Sequence, residues 1–194
     1  MLLVLLSCVL SDDAEPLPER DIHRIAVGSW SLSDGAVLSQ GTDGLELNHD
    51  GEHHILAAAV LGEPAISEDG TRLVFAHRDD GMTLSALDAI TLTRAGLTRR
   101  RLVSDGSPDR AAITGDGQWV AYVSGQTGIA SVWVVPFDGG IPEQLTNVGL
   151  QDAPRQSGAP PDGFIPPPHA DPLRIDGGQV VWRSREGEHA VDLP

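Results

Sequence analysis

Residues 107–146 read SPDRAAITGDGQWVAYVSGQTGIASVWVVPFDGGIPEQLT, and this stretch decides the fold. It contains four segments of strand length that are rich in β-branched and aromatic residues, separated by turns with Asp-Gly, Ser-Gly or Gly-Gly. Tight hairpin turns place a residue at positive φ, which glycine adopts without the steric cost of a Cβ. The stretch therefore predicts a four-stranded antiparallel meander with strands at 111–114, 118–123, 131–135 and 143–146.

The first half of this meander occurs a second time upstream, at residues 65–76. Three pairs of matching positions are each 47 residues apart: Ile66 and Ile113, Asp69 and Asp116, Phe75 and Tyr122. A four-stranded repeat of 40 to 50 residues is typical of a propeller blade. A single blade cannot bury both of its faces, so several blades must stack around an axis. The sequence predicts an all-β fold, a small β-propeller.

One segment carries a resemblance to a known family. Residues 64–75 follow the pattern Pro-x-x-Ser-x-Asp-Gly-x-x-Leu-x-Phe, which resembles the WD40-like β-propeller repeat of TolB-type periplasmic proteins. The segment from Val132 to Thr146 is similar to the end of the same repeat, so the resemblance covers residues 62–146. The second copy has Gly115 where Ser67-Glu68 of the first copy suggests a serine–acid pair. The resemblance implies a propeller that binds other cell-envelope proteins, including peptidoglycan-associated lipoproteins.

Residues 21–194 are predicted to form four blades, at about 29–59, 62–104, 107–148 and 173–194. In the first blade, the outer strand is predicted at 54–59. The last blade has only three predicted strands, and residues 21–27 are predicted to supply the fourth and close the ring, which removes a free sheet edge. Two alternatives stay open: a truncated piece of a larger propeller, and a remnant or subunit that completes a propeller only with another chain.

Residues 1–20 are predicted to be a signal and an acidic tether. The apolar run MLLVLLSCVL is shorter than the roughly 20 residues that span a bilayer. It resembles a secretion signal that ends in a lipobox, Leu5-Leu6-Ser7-Cys8, which implies lipid attachment at Cys8 and the periplasmic face of a bacterial membrane. No Lys or Arg precedes the run, although signals normally carry one. The other interpretation is an ordinary apolar N-terminus with a buried cysteine.

The charge of the chain excludes nucleic acid as a partner. Its 13 Lys and Arg stand against 28 Asp and Glu, for a net charge of −15, whereas nucleic-acid binding needs a basic surface. The one basic run, Arg99-Arg100-Arg101, is predicted to be a solvated edge strand, whose charges discourage aggregation between sheet edges. A patch that binds anions is the alternative.

No catalytic, cofactor or metal motif is found in the sequence. It has no Gly-x-Ser-x-Gly, His-Glu-x-x-His or Gly-x-x-x-x-Gly-Lys, and Cys8 is its only cysteine. His49 and His53 are expected to face each other across an Asp-Gly hairpin, as exposed polar residues rather than as a metal site. The Asp-Gly pairs are explained as turns rather than calcium ligands. Trp119 and Trp182 are expected to pack between blades, whereas Trp30 has an alternative role in the central channel.

Residues 151–172 contain seven prolines and interrupt the pattern of strands. Two interpretations stay open for this Pro-rich loop: a recognition segment, since three consecutive prolines favour polyproline II, or an unstructured insertion.

The predicted function is a non-catalytic envelope binding or scaffold protein, without a cofactor, that is held to the membrane by Cys8 and contacts an unidentified envelope protein. Its acidic charge would steer a basic partner towards it. The alternative is an envelope enzyme, such as a lyase or glycan hydrolase, with two carboxylates about 5 to 9 Å apart on the channel face.

Overall fold

The chain is folded entirely from β-strands and tight turns. The structure, a computed structural model, describes residues 28–79, 84–104, 107–125, 130–146, 173–184 and 187–194, without the side chains of Asp34 and Ser184. Its strands form four antiparallel sheets, three with four strands and one with three. The predicted all-β fold with four-stranded antiparallel blades is therefore confirmed.

The four sheets follow one another along the chain as blades. Blade 1 contains β1 (Gly28–Ser31), β2 (Val37–Gly41), β3 (Gly44–His49) and β4 (Glu52–Ala57). Blade 2 contains β5 (Ala59–Ile66), β6 (Arg72–Arg78), β7 (Ser85–Thr93) and β8 (Gly96–Val103). Blade 3 contains β9 (Pro108–Ile113), β10 (Trp119–Ser124), β11 (Ser131–Pro136) and β12 (Glu143–Gln144). Blade 4 contains β13 (Arg174–Asp176), β14 (Gln179–Ser184) and β15 (Gly187–Asp192).

Blade 2 is buried on both faces. Because side chains alternate along a strand, Leu73 and Phe75 on β6 enter an apolar cluster shared with blade 1. Val74 and Ala76 point to the opposite face and enter a second cluster, shared with blade 3. A third cluster joins blades 3 and 4 and contains the buried Trp182. Each blade boundary is therefore an apolar core between two sheets, as expected for a propeller.

The three apolar clusters join the blades one after another, from blade 1 to blade 4. They join blade 1 to 2, 2 to 3, and 3 to 4, and none of these clusters of described residues contains side chains from both blade 1 and blade 4. The strand at 21–27 that was predicted to complete blade 4 lies outside the described residues. Ring closure by this strand therefore stays a prediction.

The turn between the first two strands of a blade is built identically in blades 2 and 3. The Ser67 hydroxyl donates to Asp69 at 2.7 Å, and the Thr114 hydroxyl donates to Asp116 at 2.6 Å. In both turns the same carboxylate oxygen also accepts the backbone N–H two residues further on. The two copies of the 47-residue repeat thus share the same hydrogen bonds in this turn. The prediction that Asp69 and Asp116 stabilise their own turns is confirmed.

Two predicted boundaries near the junction of blades 1 and 2 are wrong, and in blade 3 the first strand begins at Pro108 rather than at residue 111 and the last ends at Gln144 rather than at residue 146. The outer strand of blade 1 ends at Ala57, not at residue 59, and β5 already begins at Ala59. The glycine and proline at 62–64 do not precede the strand but lie within it. The pairing of β5 with β6 shifts register between Leu61 and Ala65, and Gly62 has a φ of 79°. A β-bulge accommodates these residues without ending the strand.

Gly44 and Gly96 form a matched pair for a stability test. Both begin a strand with a φ of 120°, but a Cβ on Gly44 would overlap the carbonyl oxygen of Ala57, whereas a Cβ on Gly96 would meet nothing within 4 Å. We expect Gly96→Ala to lower the free energy of unfolding by about 1 to 2 kcal/mol and Gly44→Ala by about 3 kcal/mol or more. Urea unfolding of both variants measures the difference, and equal losses would contradict the predicted overlap.

Candidate functional site

Blade 2 contains a buried ionic cluster around Asp88. The Asp88 carboxylate receives hydrogen bonds from Arg99 Nε at 2.6 Å and Arg101 Nε at 2.9 Å, and it lies 3.0 Å from His77 Nε2. Arg101 also donates to Asp79 at 2.9 Å. The side chains of His77 and Asp88 are only 2% and 1% exposed. The cluster has residue types that catalyse reactions in other proteins, but both central groups are closed to solvent.

The pKa of Asp88 reports how well this charge is compensated. Burial alone would raise the pKa, because an apolar environment disfavours the ionised carboxylate. Hydrogen bonds from His77, Arg101 and Arg99 outweigh burial, and the pKa of Asp88 lies far below its ordinary value. The same contacts raise the pKa of the Arg101 guanidinium further above its usual range. Asp88 is therefore ionised at neutral pH, and its carboxylate orients two arginines.

The arginines connect blade 2 to both of its neighbours. Arg99 donates to the carbonyl oxygen of Leu56 in blade 1 at 2.7 Å, and its guanidinium lies over the ring of Phe75 at 5.6 Å. Arg100 points to the opposite face and donates to the carbonyl oxygen of Asp138 in blade 3. The prediction that this run lies on an edge strand is correct, because β8 ends its sheet. The three arginines are also exposed, as predicted, but a buried acid in the neighbouring strand holds two of them, Arg99 and Arg101.

The predicted pairing of His49 with His53 is also wrong. The hairpin has a two-residue turn at 50–51, so His49 lies opposite Glu52 and His53 lies opposite Asn48. The two imidazoles therefore point to opposite faces of blade 1. His49 is buried, whereas His53 is exposed and lies 3.1 Å from a Glu46 oxygen. Within the described ranges, no group of three or more His, Cys, Asp or Glu side chains is arranged to hold a metal ion.

An open cleft lies between blades 3 and 4, at the end of the sheets where the first two strands of each blade turn. This blade 3–4 cleft has a volume of about 540 Å³. Its walls come from three blades: Glu68 from blade 2, Asp116 and Trp119 from blade 3, and Ile175 and Asp176 from blade 4. The cleft combines acidic groups with an indole and an aliphatic side chain. No sequence motif marks it, because its residues come from separate turns.

One wall of the cleft has a fixed charge. The Thr114 hydroxyl and the Gln118 backbone N–H donate to Asp116 and lower the pKa of its carboxyl group. Arg72, whose charge also favours the ionised form, directs its own Nη1 to the carbonyl oxygen of Gly117 at 2.8 Å. Glu68 lies beside the bare Cα of Gly115, where a Cβ would come within 2.7 Å of the Glu68 side chain. Glycine at 115 therefore makes room for a carboxylate from the neighbouring blade.

Trp119 and Trp182 pack between blades, as predicted. Trp182 is buried in the core between blades 3 and 4, and Trp119 packs against the same core while lining the cleft. Trp30 packs against the core between blades 1 and 2, where its role is structural. Cys8, predicted to carry lipid, and the Pro-rich loop at 151–172 lie outside the described residues. In the portion that is described, no helix is long and apolar enough to cross a membrane.

Comparison with known proteins supports the fold alone. No protein-family profile and no curated protein sequence matches this chain. Its fold is similar to a chain in the crystal structure of the nidogen/laminin complex, with a TM-score of 0.52 and 16% identity, covering 88% of this chain and 61% of that one. It is also similar to a gluconolactonase from Xanthomonas campestris, with a TM-score of 0.52 and 15% identity, covering 85% and 57%.

These similarities and the stacked sheets define a β-propeller. The chain spans about three fifths of the length of those two solved structures, 61% and 57% respectively. A candidate TolB from Agrobacterium tumefaciens matches 86% of this chain and 70% of its own at 16% identity. Its TM-score of 0.33 is too low to support an inference. The propeller fold is shared by proteins that bind other proteins and by enzymes, so the fold does not determine the function.

Asp88 and Asp79 offer a test of the ionic cluster. We expect Asp88→Asn to lower the free energy of unfolding by about 2 to 4 kcal/mol, because two arginines lose their buried counter-ion. Asp79→Asn is the matched control, since Asp79 is 46% exposed and its contacts, to Arg101 at 2.9 Å and to His77 at 3.4 Å, lie at the surface end of the cluster, so its loss should be much smaller. Chemical unfolding at neutral pH measures both. Equal effects would show that the cluster does not depend on Asp88.

The depressed pKa of Asp88 predicts a pH window for its contribution. A carboxyl group whose pKa falls on folding stabilises the protein above its unfolded pKa of about 3.8 and loses that effect as the pH falls further. The difference in unfolding free energy between wild type and Asp88→Asn should be full above about pH 5 and should shrink by up to about 1.4 kcal/mol per pH unit below about pH 4. Unfolding curves across this range measure it, and a difference that grows in acid would contradict the prediction.

Proposed function

We propose that this chain is a non-catalytic binding or scaffold propeller of the bacterial cell envelope, a TolB-like protein that contacts another envelope protein. The blade 3–4 cleft is the observation that carries the proposal. Three successive blades contribute to it, and an indole and aliphatic side chains beside a few charged groups are typical of sites that recognise other molecules. The TolB-type repeat at residues 64–75 supports the envelope setting.

The buried cluster around Asp88 also favours binding over catalysis. A catalytic acid or base must come within hydrogen-bond reach of its substrate. His77 and Asp88 are at most 2% exposed and already hold each other and two arginines. Their arrangement fixes the pairing of the strands within blade 2. The buried groups therefore hold the propeller together, and the exposed cleft is left as the candidate binding site.

The second candidate function is an envelope enzyme that uses carboxylates of the same cleft. Glu68, Asp116 and Asp176 line it, and a pair of carboxylates at suitable separation hydrolyses glycosidic bonds. Incubating the purified chain with envelope glycans, with mass spectrometry of the products, separates the two functions. Cleavage that is lost in Asp116→Asn would establish the enzyme and overturn the non-catalytic proposal.

A third alternative is that this chain is a fragment of a longer propeller protein, which fits the three-fifths of the solved structures that it covers.

The envelope setting predicts a lipid on Cys8. In a Gram-negative host, the mature chain should begin at Cys8 and carry acyl chains, because two chains give stable membrane anchoring. Intact mass of the membrane fraction measures this, and Cys8→Ser should lose both the acyl mass and the membrane association. An unmodified chain that begins at Met1 in the cytoplasm would refute the envelope setting.

Binding is tested separately from location. Affinity capture from detergent-solubilised envelopes, with the mature chain as bait, should enrich one protein above the level seen with a heat-denatured bait. Deleting residues 151–172 from the bait tests whether the Pro-rich loop is a recognition segment, because capture would then fall. Capture that equals the denatured control for both baits would argue against the scaffold function.

A further inference from the structure

The blade 3–4 cleft interrupts a contact that the preceding blades share. Between blades 1 and 2, the Ser33 N–H donates to the Gly70 carbonyl oxygen at 3.1 Å. Between blades 2 and 3, the Glu68 N–H donates to the Gly115 carbonyl oxygen at 3.0 Å. At the next boundary, the described residues contain no such backbone hydrogen bond between the turns, and the cleft lies there instead. Of the three boundaries within the described residues, the first two are joined by a hydrogen bond between turns and the third is open at the cleft.

The polar lining of this opening has one sign of charge. Glu68, Asp116 and Asp176 contribute three carboxylates from three blades, and no basic side chain of the described residues lines the cleft. Asp116 is held ionised by its turn, which lowers its pKa. The charge of Arg72 also favours ionised Asp116. The Arg72 guanidinium itself lies over the ring of Phe137, 4.9 Å from its centre, and does not line the cleft. A cationic group of a ligand would therefore complement the lining of the cleft.

The apolar lining suits the stem of a long side chain. Trp119, Ile175 and Leu193 are each partly buried, and they line the cleft beside the carboxylates. Lysine and arginine bury their methylene stems on apolar surface while their charged heads stay with polar partners. A cationic head near an indole gains a further attraction to the ring. The cleft is open, and its volume of about 540 Å³ leaves space for one such side chain.

We propose that the blade 3–4 cleft binds a lysine or arginine side chain of an extended, basic segment of a protein partner. This inference rests on the proposed binding function and specifies the chemistry of the partner. Charge complementarity selects the occupant: an overall charge of −15 attracts a basic protein, and the cleft then holds one cationic side chain. The carboxylates exclude anionic ligands from the same place by repulsion.

The composition of the chain makes a cross-linking test unusually clean. All 13 of its basic residues are arginines, and it contains no lysine. A carbodiimide therefore joins its carboxylates only to amines of another molecule or to its own N-terminus. The probe is the blocked peptide acetyl-Gly-Leu-Lys-Leu-Gly-amide. Its matched control carries acetyl-lysine in the centre, which preserves the length but removes the charge.

The first expected result is cross-linking of the lysine peptide at Glu68, Asp116 or Asp176, located by proteolysis and mass spectrometry. Binding without cross-linker, measured by calorimetry, should be about five- to tenfold weaker for the acetyl-lysine peptide. It should also weaken as NaCl rises from about 50 mM to about 500 mM, since salt screens exposed charges. Cross-links spread evenly over the acidic surface would overturn the proposal.

Variants of the cleft keep the inference falsifiable. Glu68→Gln with Asp176→Asn should weaken binding of the lysine peptide about five- to tenfold. Glu143→Gln, an exposed acid on the short outer strand of blade 3, is the control and should bind as wild type does. The three side chains are exposed, so we expect melting temperatures close to that of wild type. A double variant that binds like Glu143→Gln, or a wild type that binds both peptides equally, would overturn the proposal.

Failure of the cleft inference and failure of the proposed function give different results. If capture from envelopes succeeds with the double variant as bait, the binding function stands and the cleft is not the site. If the lysine peptide binds as expected but no envelope protein is captured, the cleft recognises basic side chains and the envelope scaffold function fails.

Discussion

The strands in the middle of blade 2 have no face for solvent. Along β6, alternate side chains enter two different apolar cores, Leu73 and Phe75 towards blade 1 and Val74 and Ala76 towards blade 3. A sheet with two apolar faces is stable only between two other sheets, because exposing either face would return its side chains to water. Blade 2 must therefore lie between blades 1 and 3, and this stacking places the turns and the cleft at the ends of the sheets.

Asp88 is the exception within this apolar blade, and it shows what a buried charge demands. Its neighbours in β7 are buried and mostly apolar, so the carboxylate has no access to water. It is ionised because Arg99 and Arg101 arrive from the adjacent strand and His77 from the other side. Replacing such a cluster by apolar residues is often neutral for stability in other proteins, whereas removing one partner is costly. The cluster therefore constrains the pairing of β7 with β8 more than it strengthens the fold.

Local chemistry made most of the fold predictable. Asp-Gly turns and the 47-residue repeat depend on neighbouring residues, so the blades and the Asp69 and Asp116 turns followed from the sequence. What the sequence could not reveal depends on register between strands. The two-residue turn at 94–95 sets the register of β7 with β8 and places Arg101 opposite the acid, and the register shifts only beyond it, between Leu87 and Asp88. A lone aspartate in an apolar strand, followed by alternate arginines on the next strand, was the available hint.

The candidate site was less predictable than the fold for a related reason. The two-residue turn at 50–51 pairs His49 with Glu52, so adjacency in the sequence misled the expectation about His53. The blade 3–4 cleft arises where a contact between turns is missing, and the absence of a contact leaves no pattern in the residues. Gly115 stands where the first copy has Glu68, and its meaning, space for the Glu68 side chain, became visible only with the neighbouring blade in place.

The run of arginines on β8 has a consequence for how this protein can change over evolutionary time. Arg99 and Arg100 bind carbonyl oxygens of Leu56 and Asp138, which belong to different neighbours. Backbone acceptors tolerate almost any side chain at those two positions, so the neighbouring blades are free to diverge in sequence. They are not free to change in length, because an insertion or deletion that displaced either carbonyl would leave a guanidinium without its acceptor. Blade 2 thus permits drift in its neighbours while discouraging recombination of blades as interchangeable units.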